Sequence, residues 1–97
     1  MKKIVIFGAG RSSTSLIEYL LSIAEEQNLL ITLLDYNEEL AKSKINNHKF
    51  GEAHFIDANN PNERLKFIKE SHLVRSMLPA HMHLGIVKDA IHEKVHV

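Results

Sequence analysis

The stretch Ile4-Val5-Ile6-Phe7-Gly8-Ala9-Gly10-Arg11-Ser12-Ser13 limits the folds open to this chain more than any other: four bulky apolar residues, a glycine-rich turn, then amphipathic sequence. An apolar run without alternation suits a parallel strand, because both faces of such a strand are covered. Gly8 is able to take the backbone angles of a tight turn, and Gly10, having no Cβ, lets a pyrophosphate approach the main chain. A helix starting directly afterwards points its unpaired N–H groups and the positive end of its dipole at the same place. The pattern is Gly-x-Gly-x-x-Gly with Ser13 in the third position, a small residue that permits only slightly less close packing of helix on strand. Such a motif indicates a dinucleotide site only in context: a strand before it, a helix after it, and an acidic residue about 20 residues further on. Asp35 ends the second apolar run 25 residues past Gly10, a spacing that a long first helix accounts for. The competing reading is an ordinary strand-to-helix turn with a helix-capping aspartate nearby.

Downstream, the hydrophobic period changes repeatedly. Leu16, Ile17, Leu20, Leu21 and Ala24 form the apolar stripe of a helix over about 12–27, with Asn28 as its stop. Leu29 to Leu34 is the second strand. Asn37 caps a short second helix carrying Glu38 and Glu39 in its first turn, and Asn46-Asn47-His48 ends it. Ala53-His54-Phe55-Ile56 is a third strand leading to Asp57. Asn60-Pro61-Asn62-Glu63 reads as a helix start, with Asn60 as cap, Pro61 at the first position and Glu63 placed to complete a capping box. Leu65, Phe67 and Ile68 give the buried side of that helix. His72 to Leu78 is a fourth strand ended by Pro79; Leu84, Val87 and Ile91 line a fourth helix, and Val95-His96-Val97 opens a fifth strand. Alternating strands and helices predict an α/β fold: a Rossmann-like, doubly wound parallel sheet of about five strands in the order 3-2-1-4-5, with helices on both faces. The ligand crevice then lies at the carboxyl ends of strands one and four, outside Gly8 and Leu78.

The chain has 97 residues, room for one domain. Twelve basic and twelve acidic side chains cancel, so net charge implies no attraction to nucleic acid or membrane surfaces. The absence of cysteine excludes disulfides and thiolate metal sites and suits a reducing cytoplasm. Met1-Lys2-Lys3 is followed by too few apolar residues for a signal-peptide core or a spanning helix. A cytoplasmic, soluble protein is expected. No metal site is expected either: His81 and His83 are two apart on a helix and do not face each other, and no third ligand stands at a suitable spacing.

Gly8-Ala9-Gly10-Arg11-Ser12-Ser13, the turn Asp35-Tyr36-Asn37, Asp57 after the third strand, Leu73-Val74-Arg75-Ser76-Met77-Leu78-Pro79-Ala80 and the ending Lys94-Val95-His96-Val97 together resemble the amino-terminal half of the saccharopine dehydrogenase family. The resemblance covers essentially the whole chain, and its specific part is the Ser-x-Leu-Pro segment with the Lys-x-His-Val ending. It implies a nicotinamide-cofactor domain of an oxidoreductase in lysine or related amino-acid metabolism. Two departures stand out. Arg75 replaces the usual aliphatic residue in a strand expected to be buried on both faces, where an unpaired guanidinium is costly. Family members also continue into a substrate-binding and dimerising domain, so residues 1–97 are expected to be a cofactor domain that turns over nothing alone.

The cofactor-binding candidates are Gly8, Gly10, Arg11, Ser12, Ser13, Asp35, Asp57, Leu78 and Pro79; no catalytic residue is assigned. Ser12 and Ser13 suit both a helix start and phosphate oxygens. Arg11 either pairs with the pyrophosphate or points to solvent. Asp57 either closes a turn with its own backbone or, as the resemblance implies, lies near the adenine. The carboxylate of Asp35 predicts NAD rather than NADP, since it accepts hydrogen bonds from the ribose hydroxyls and repels a 2′-phosphate. Leu78-Pro79 sets a rigid apolar edge where the nicotinamide end would lie. The expected partners are the dinucleotide, an amino-acid substrate only in a longer enzyme, and further copies of the chain at high concentration, through unpaired sheet edges. A rival reading is a regulatory NAD-sensing module of the potassium-transport type, which shares the glycine turn and the acidic residue but does not need the Leu-Pro edge.

Overall fold

Ile4 and Ile6 point into one apolar cluster and Val5 and Phe7 into another, so the first strand is buried from both sides. A computed structural model of the chain describes residues 2–10, 13–57 and 59–77, with residues 86, 88, 89 and 93 beyond them. Within these, β1 (Lys2–Phe7), α1 (Thr14–Gln27), β2 (Leu29–Asp35), α2 (Glu38–Ile45), β3 (Gly51–Phe55), α3 (Pro61–Lys69) and β4 (Leu73–Ser76) follow in turn. The strands form one parallel sheet in the order β3-β2-β1-β4. This is the expected order through the fourth strand. Residues 86, 88 and 89 are helical; the rest of the fourth helix and the fifth strand expected at 95–97 lie outside the described residues.

Alternation along each strand divides the core. Ile4, Ile6, Ile31 and Leu33 meet Ile17, Leu21 and Ala24 of α1 and Ala41 and Ile45 of α2. On the opposite side Val5, Phe7, Leu34 and Val74 meet Ile68 of α3, together with Ile56 and Ile86. Ile6, Ile31, Leu33 and Phe7 have no exposed surface, so truncating any one to alanine costs about 2–5 kcal/mol.

Asparagine ends or starts each helix. Asn28 and Asn46 take left-handed conformations (φ 57° and 51°) after α1 and α2, the role a short polar side chain fills at little cost. Asn37 Oδ1 accepts from Leu40 N at 3.1 Å, and Asn60 Oδ1 accepts from Asn62 N at 3.0 Å with Pro61 opening α3. Glu63 does not close a capping box: its Oε2 accepts from Asp57 N at 3.2 Å, while Asn60 N donates to the Asp57 carbonyl. The loop after β3 folds back far enough to take both partners.

The strand limits shift modestly. β3 begins at Gly51 and stops before Ile56, whose N–H still donates to the Asp35 carbonyl at 3.1 Å. β4 is shorter than 72–78, although His72 N and Met77 N extend its bonding to Lys3 O and Phe7 O by one residue at each end. Arg75 is a clear correction. It is exposed, because α1 and α2 pack over β2 and β3 and leave this side of β4 open among the described residues. The guanidinium therefore stays hydrated and carries no burial penalty. Among the described residues no helix is long and apolar enough to cross a membrane. Replacing Arg75 with glutamine is expected to change unfolding free energy by no more than about 0.5 kcal/mol. Urea titration checks this; a gain of several kcal/mol would mean that the guanidinium is buried after all.

Candidate functional site

The turn after β1 is fixed by its backbone before any side chain contributes. Gly8 has φ 103°, a region closed to most L-residues, and its N–H donates to the Leu34 carbonyl at 2.8 Å. The next N–H, that of fully buried Ala9, donates to Asp35 Oδ2 at 2.9 Å. Asp35 Oδ1 accepts from Asn37 N at 3.3 Å. The acidic residue thus ties the end of β2 to the glycine turn, and the cap of α2 is Asn37, not Asp35. That disposes of the capping-aspartate reading.

Gly10 is exposed, and a Cβ built on it would meet nothing within 4 Å. At Gly10 a side chain would therefore have room among the described residues. Ser13 behaves differently from its expected dual role. It is fully buried, makes no side-chain cap, and its Oγ donates to Gly10 O at 2.7 Å while its N–H donates to the same carbonyl at 3.1 Å. Its hydroxyl therefore shapes the turn from beneath and is not presented to a ligand. Thr14, the first residue of α1, accepts a hydrogen bond from Lys44 Nζ of α2. Arg11, Ser12, Leu78 and Pro79 lie outside the described residues.

Asp57 follows β3 and its Oδ1 accepts from Asn59 N at 3.0 Å, the local turn contact considered from sequence. It remains partly exposed. Two aromatic residues that sequence reasoning missed stand beside Asp35. Tyr36 (72% exposed) and Phe55 (45%) come from the carboxyl ends of β2 and β3, with ring centroids 5.2 Å apart and planes at 53°. Exposed apolar rings at adjacent strand ends are a usable signal, visible as aromatic residues directly after or closing each strand. Ser76 was also missed as a candidate in its own right. It closes β4 opposite Phe7, and its Oγ is the only buried side-chain polar atom among the described residues with no hydrogen-bond partner.

No protein-family model matches the chain, and no curated protein matches it. Solved structures do. The apo saccharopine dehydrogenase (L-Glu forming) of Saccharomyces cerevisiae superposes with a TM-score of 0.85 over 98% of this chain at 20% identity. A wide-type short-chain dehydrogenase/reductase from Veillonella parvula DSM 2008, in complex with NADP, gives 0.72 over 97% at 21% identity, and an isoflavone reductase gives 0.67 over 98% at 19%. The chain spans 20%, 44% and 34% of those three chains, respectively. Similarity at these identities speaks for the fold. With the strand order β3-β2-β1-β4 and the glycine turn leading into α1, it gives this chain a Rossmann-like α/β fold.

Proposed function

We infer that the chain is the nicotinamide-cofactor domain of an oxidoreductase of the saccharopine dehydrogenase kind, in lysine or related amino-acid metabolism, with NAD as the preferred cofactor. The observation that carries this reading is the glycine turn after β1, with Gly8 at φ 103°, held by the Asp35 carboxylate at the carboxyl end of β2. The residues fit the cofactor: the main chain at Gly10, just before α1, would lie along the pyrophosphate, and the Asp35 carboxylate would take the ribose hydroxyls. Tyr36 and Phe55 offer an apolar surface to a flat ring, with Asp57 at its margin. Arg11 and Ser12 are assigned to the phosphates, and Leu78 and Pro79 to the nicotinamide end. The cofactor, when bound, supplies hydride transfer, and the protein's part is to bind and orient it. Substrate contacts are assigned to a longer enzyme, as the resemblance to the saccharopine dehydrogenase family implies. The comparison structures named above are dehydrogenases and reductases, which favours the oxidoreductase reading over a sensing module.

Isothermal titration is expected to give tighter binding of NAD than of NADP, because Asp35 repels a 2′-phosphate. Tighter NADP binding would overturn the preference while leaving the dinucleotide reading intact. Gly10→Val is expected to abolish binding with little change in thermal midpoint, since a Cβ at this exposed position has room and would stand where a pyrophosphate approaches the main chain. Binding that survives this substitution would make the glycine turn purely structural. Asp35→Ala should both relax the cofactor preference and destabilise the domain by about 1–3 kcal/mol, as the buried Ala9 N–H loses its acceptor. Asp35→Asn, which retains an acceptor oxygen, should lose less; urea unfolding of the two variants separates the tether from the charge.

A further inference from the structure

The outer edge of β3 has hydrogen-bonding capacity that the described residues leave unused. β3 stands at one end of the sheet. Ile31 N donates to Phe50 O at 2.9 Å and Ile56 N to Asp35 O at 3.1 Å. In the register that pairs Ile31 with Gly51 and Asp35 with Phe55, the main-chain groups of Glu52 and His54 therefore face β2, and those of Gly51, Ala53 and Phe55 face outward. Of these outward groups only the Gly51 N–H is taken among the described residues, by the His48 carbonyl at 3.1 Å. Such an edge is a template for another strand, which proteins commonly block with lysine or proline. Gly51-Glu52-Ala53-His54-Phe55 contains neither. Its side chains divide by face. On the α3 side Glu52 Oε1 accepts from Thr32 Oγ1 at 2.9 Å and lies 3.6 Å from His54 Nε2, and the His54 ring stands 5.8 Å from that of Phe67. On the other side Ala53 packs under α1 and α2, and a groove of about 340 Å³ follows the edge, lined by Lys42, Ile45, Asn47, Gly51, Glu52 and Ala53.

We propose that this edge binds a second copy of the chain, β3 pairing antiparallel with β3 about a twofold axis at Ala53. Each Ala53 then donates to and accepts from its counterpart, and each Phe55 N–H donates to the Gly51 carbonyl opposite. The strand is complementary to its own reverse. Glu52 falls opposite His54 of the second copy, and His54 opposite Glu52, in the non-hydrogen-bonded pairs where side chains come closest. That pairing holds as a hydrogen bond with neutral imidazole and as an ion pair with imidazolium. Because the outward groups belong to alternate residues, the second strand shifts only in steps that keep them facing each other. The neighbouring register in one direction opposes Glu52 to Glu52, and in the other His54 to His54, so charge selects the register centred on Ala53. Phe55 falls opposite Gly51 of the second copy, at the groove beside Ile45, a cross-strand arrangement of aromatic and glycine that stabilises edges. Two five-residue strands make a small interface, so the dimer is reversible and of micromolar affinity or weaker. The pairing uses neither the glycine turn nor Asp35 and stands apart from the cofactor reading.

Sedimentation velocity of the unaltered 97-residue chain, from micromolar to millimolar concentration, is expected to show a reversible monomer–dimer equilibrium. A chain still monomeric at millimolar concentration would overturn the proposal. His54→Glu opposes carboxylates in both symmetric pairs and is expected to weaken dimerisation about tenfold or more. Adding Glu52→Lys to it is expected to restore dimerisation, because each pair again joins opposite charges. A dimer indifferent to His54→Glu, or a double variant no stronger than the single one, would put the contact elsewhere and overturn the pairing. Ala53→Pro removes an outward N–H without touching the bonds to β2 and is expected to leave a folded monomer by circular dichroism; a folded Ala53→Pro chain that still dimerises would overturn it too. Should Ala53→Pro fail to fold, the charge exchange decides, since it alters no main-chain bond. The register is read by oxidising a mixture of Glu52→Cys and His54→Cys chains, in a sequence with no cysteine of its own. Positions 52 and 54 of opposite strands would lie about 4.5 Å apart at Cα, within disulfide reach, so the mixed disulfide is expected to exceed either like pair. A preference for like pairs would overturn the register.

Discussion

The structure depends on the grip of β2 on the turn after β1. Two consecutive N–H groups, those of Gly8 and Ala9, are taken by the Leu34 carbonyl and the Asp35 carboxylate. The second is a charge-assisted bond reaching a fully buried donor, worth about 1.5–3 kcal/mol. It determines where the chain leaves the sheet, and so where α1 begins. Gly8 has φ 103°, a conformation open to glycine, and with it the Gly8 and Ala9 N–H groups reach both acceptors. Ser13 completes the arrangement from below by returning two hydrogen bonds to Gly10 O.

Burial on both sides of the sheet makes this grip rigid. The β1 side chains go alternately to the cluster under α1 and α2 and to the cluster under α3, so β1 cannot slide without disturbing both. Polar exceptions sit near the margins. Buried Thr32 donates to Glu52 Oε1 at 2.9 Å on the edge strand β3, which satisfies its hydroxyl at the boundary of the core. Arg64 of α3 meets Asp89 at 2.6 Å, both side chains mostly shielded from water. Such a pair lies between the ~1 kcal/mol of an exposed ion pair and the ~3–5 kcal/mol lost on breaking a buried one. It holds the segment after β4 against α3, on the side of the sheet where Ser76 has its hydroxyl.

Features that depend on local chemistry were legible in the sequence. The strand, glycine turn and helix around Gly8, the left-handed stop at Asn28, the Asn37 cap and the Asn60-Pro61 start all follow from backbone geometry that neighbouring residues cannot easily override. The strand order from β3 to β4 followed from the alternation of elements. Features decided by distant partners were not legible. Ser13 looked like a cap, yet the Gly10 carbonyl captured its hydroxyl. Glu63 stood at the right spacing for a capping box but found the Asp57 N–H instead. Arg75 looked buried because a parallel strand usually is, and its exposure depends on where α1 and α2 lie. Ser76 and the Tyr36–Phe55 pair acquire meaning only when strand ends remote in sequence are brought side by side.

Tyr36 gives the chain an optical property. The sequence contains two tyrosines and no tryptophan, so its near-ultraviolet emission comes from phenol rings alone. Tyr19 projects from α1 into solvent, while Tyr36 leans on Phe55 at the ends of β2 and β3. Both rings are largely exposed, and of the two only Tyr36 stands against another ring among the described residues, so a flat group stacked on the Tyr36–Phe55 pair would alter one emitter before the other.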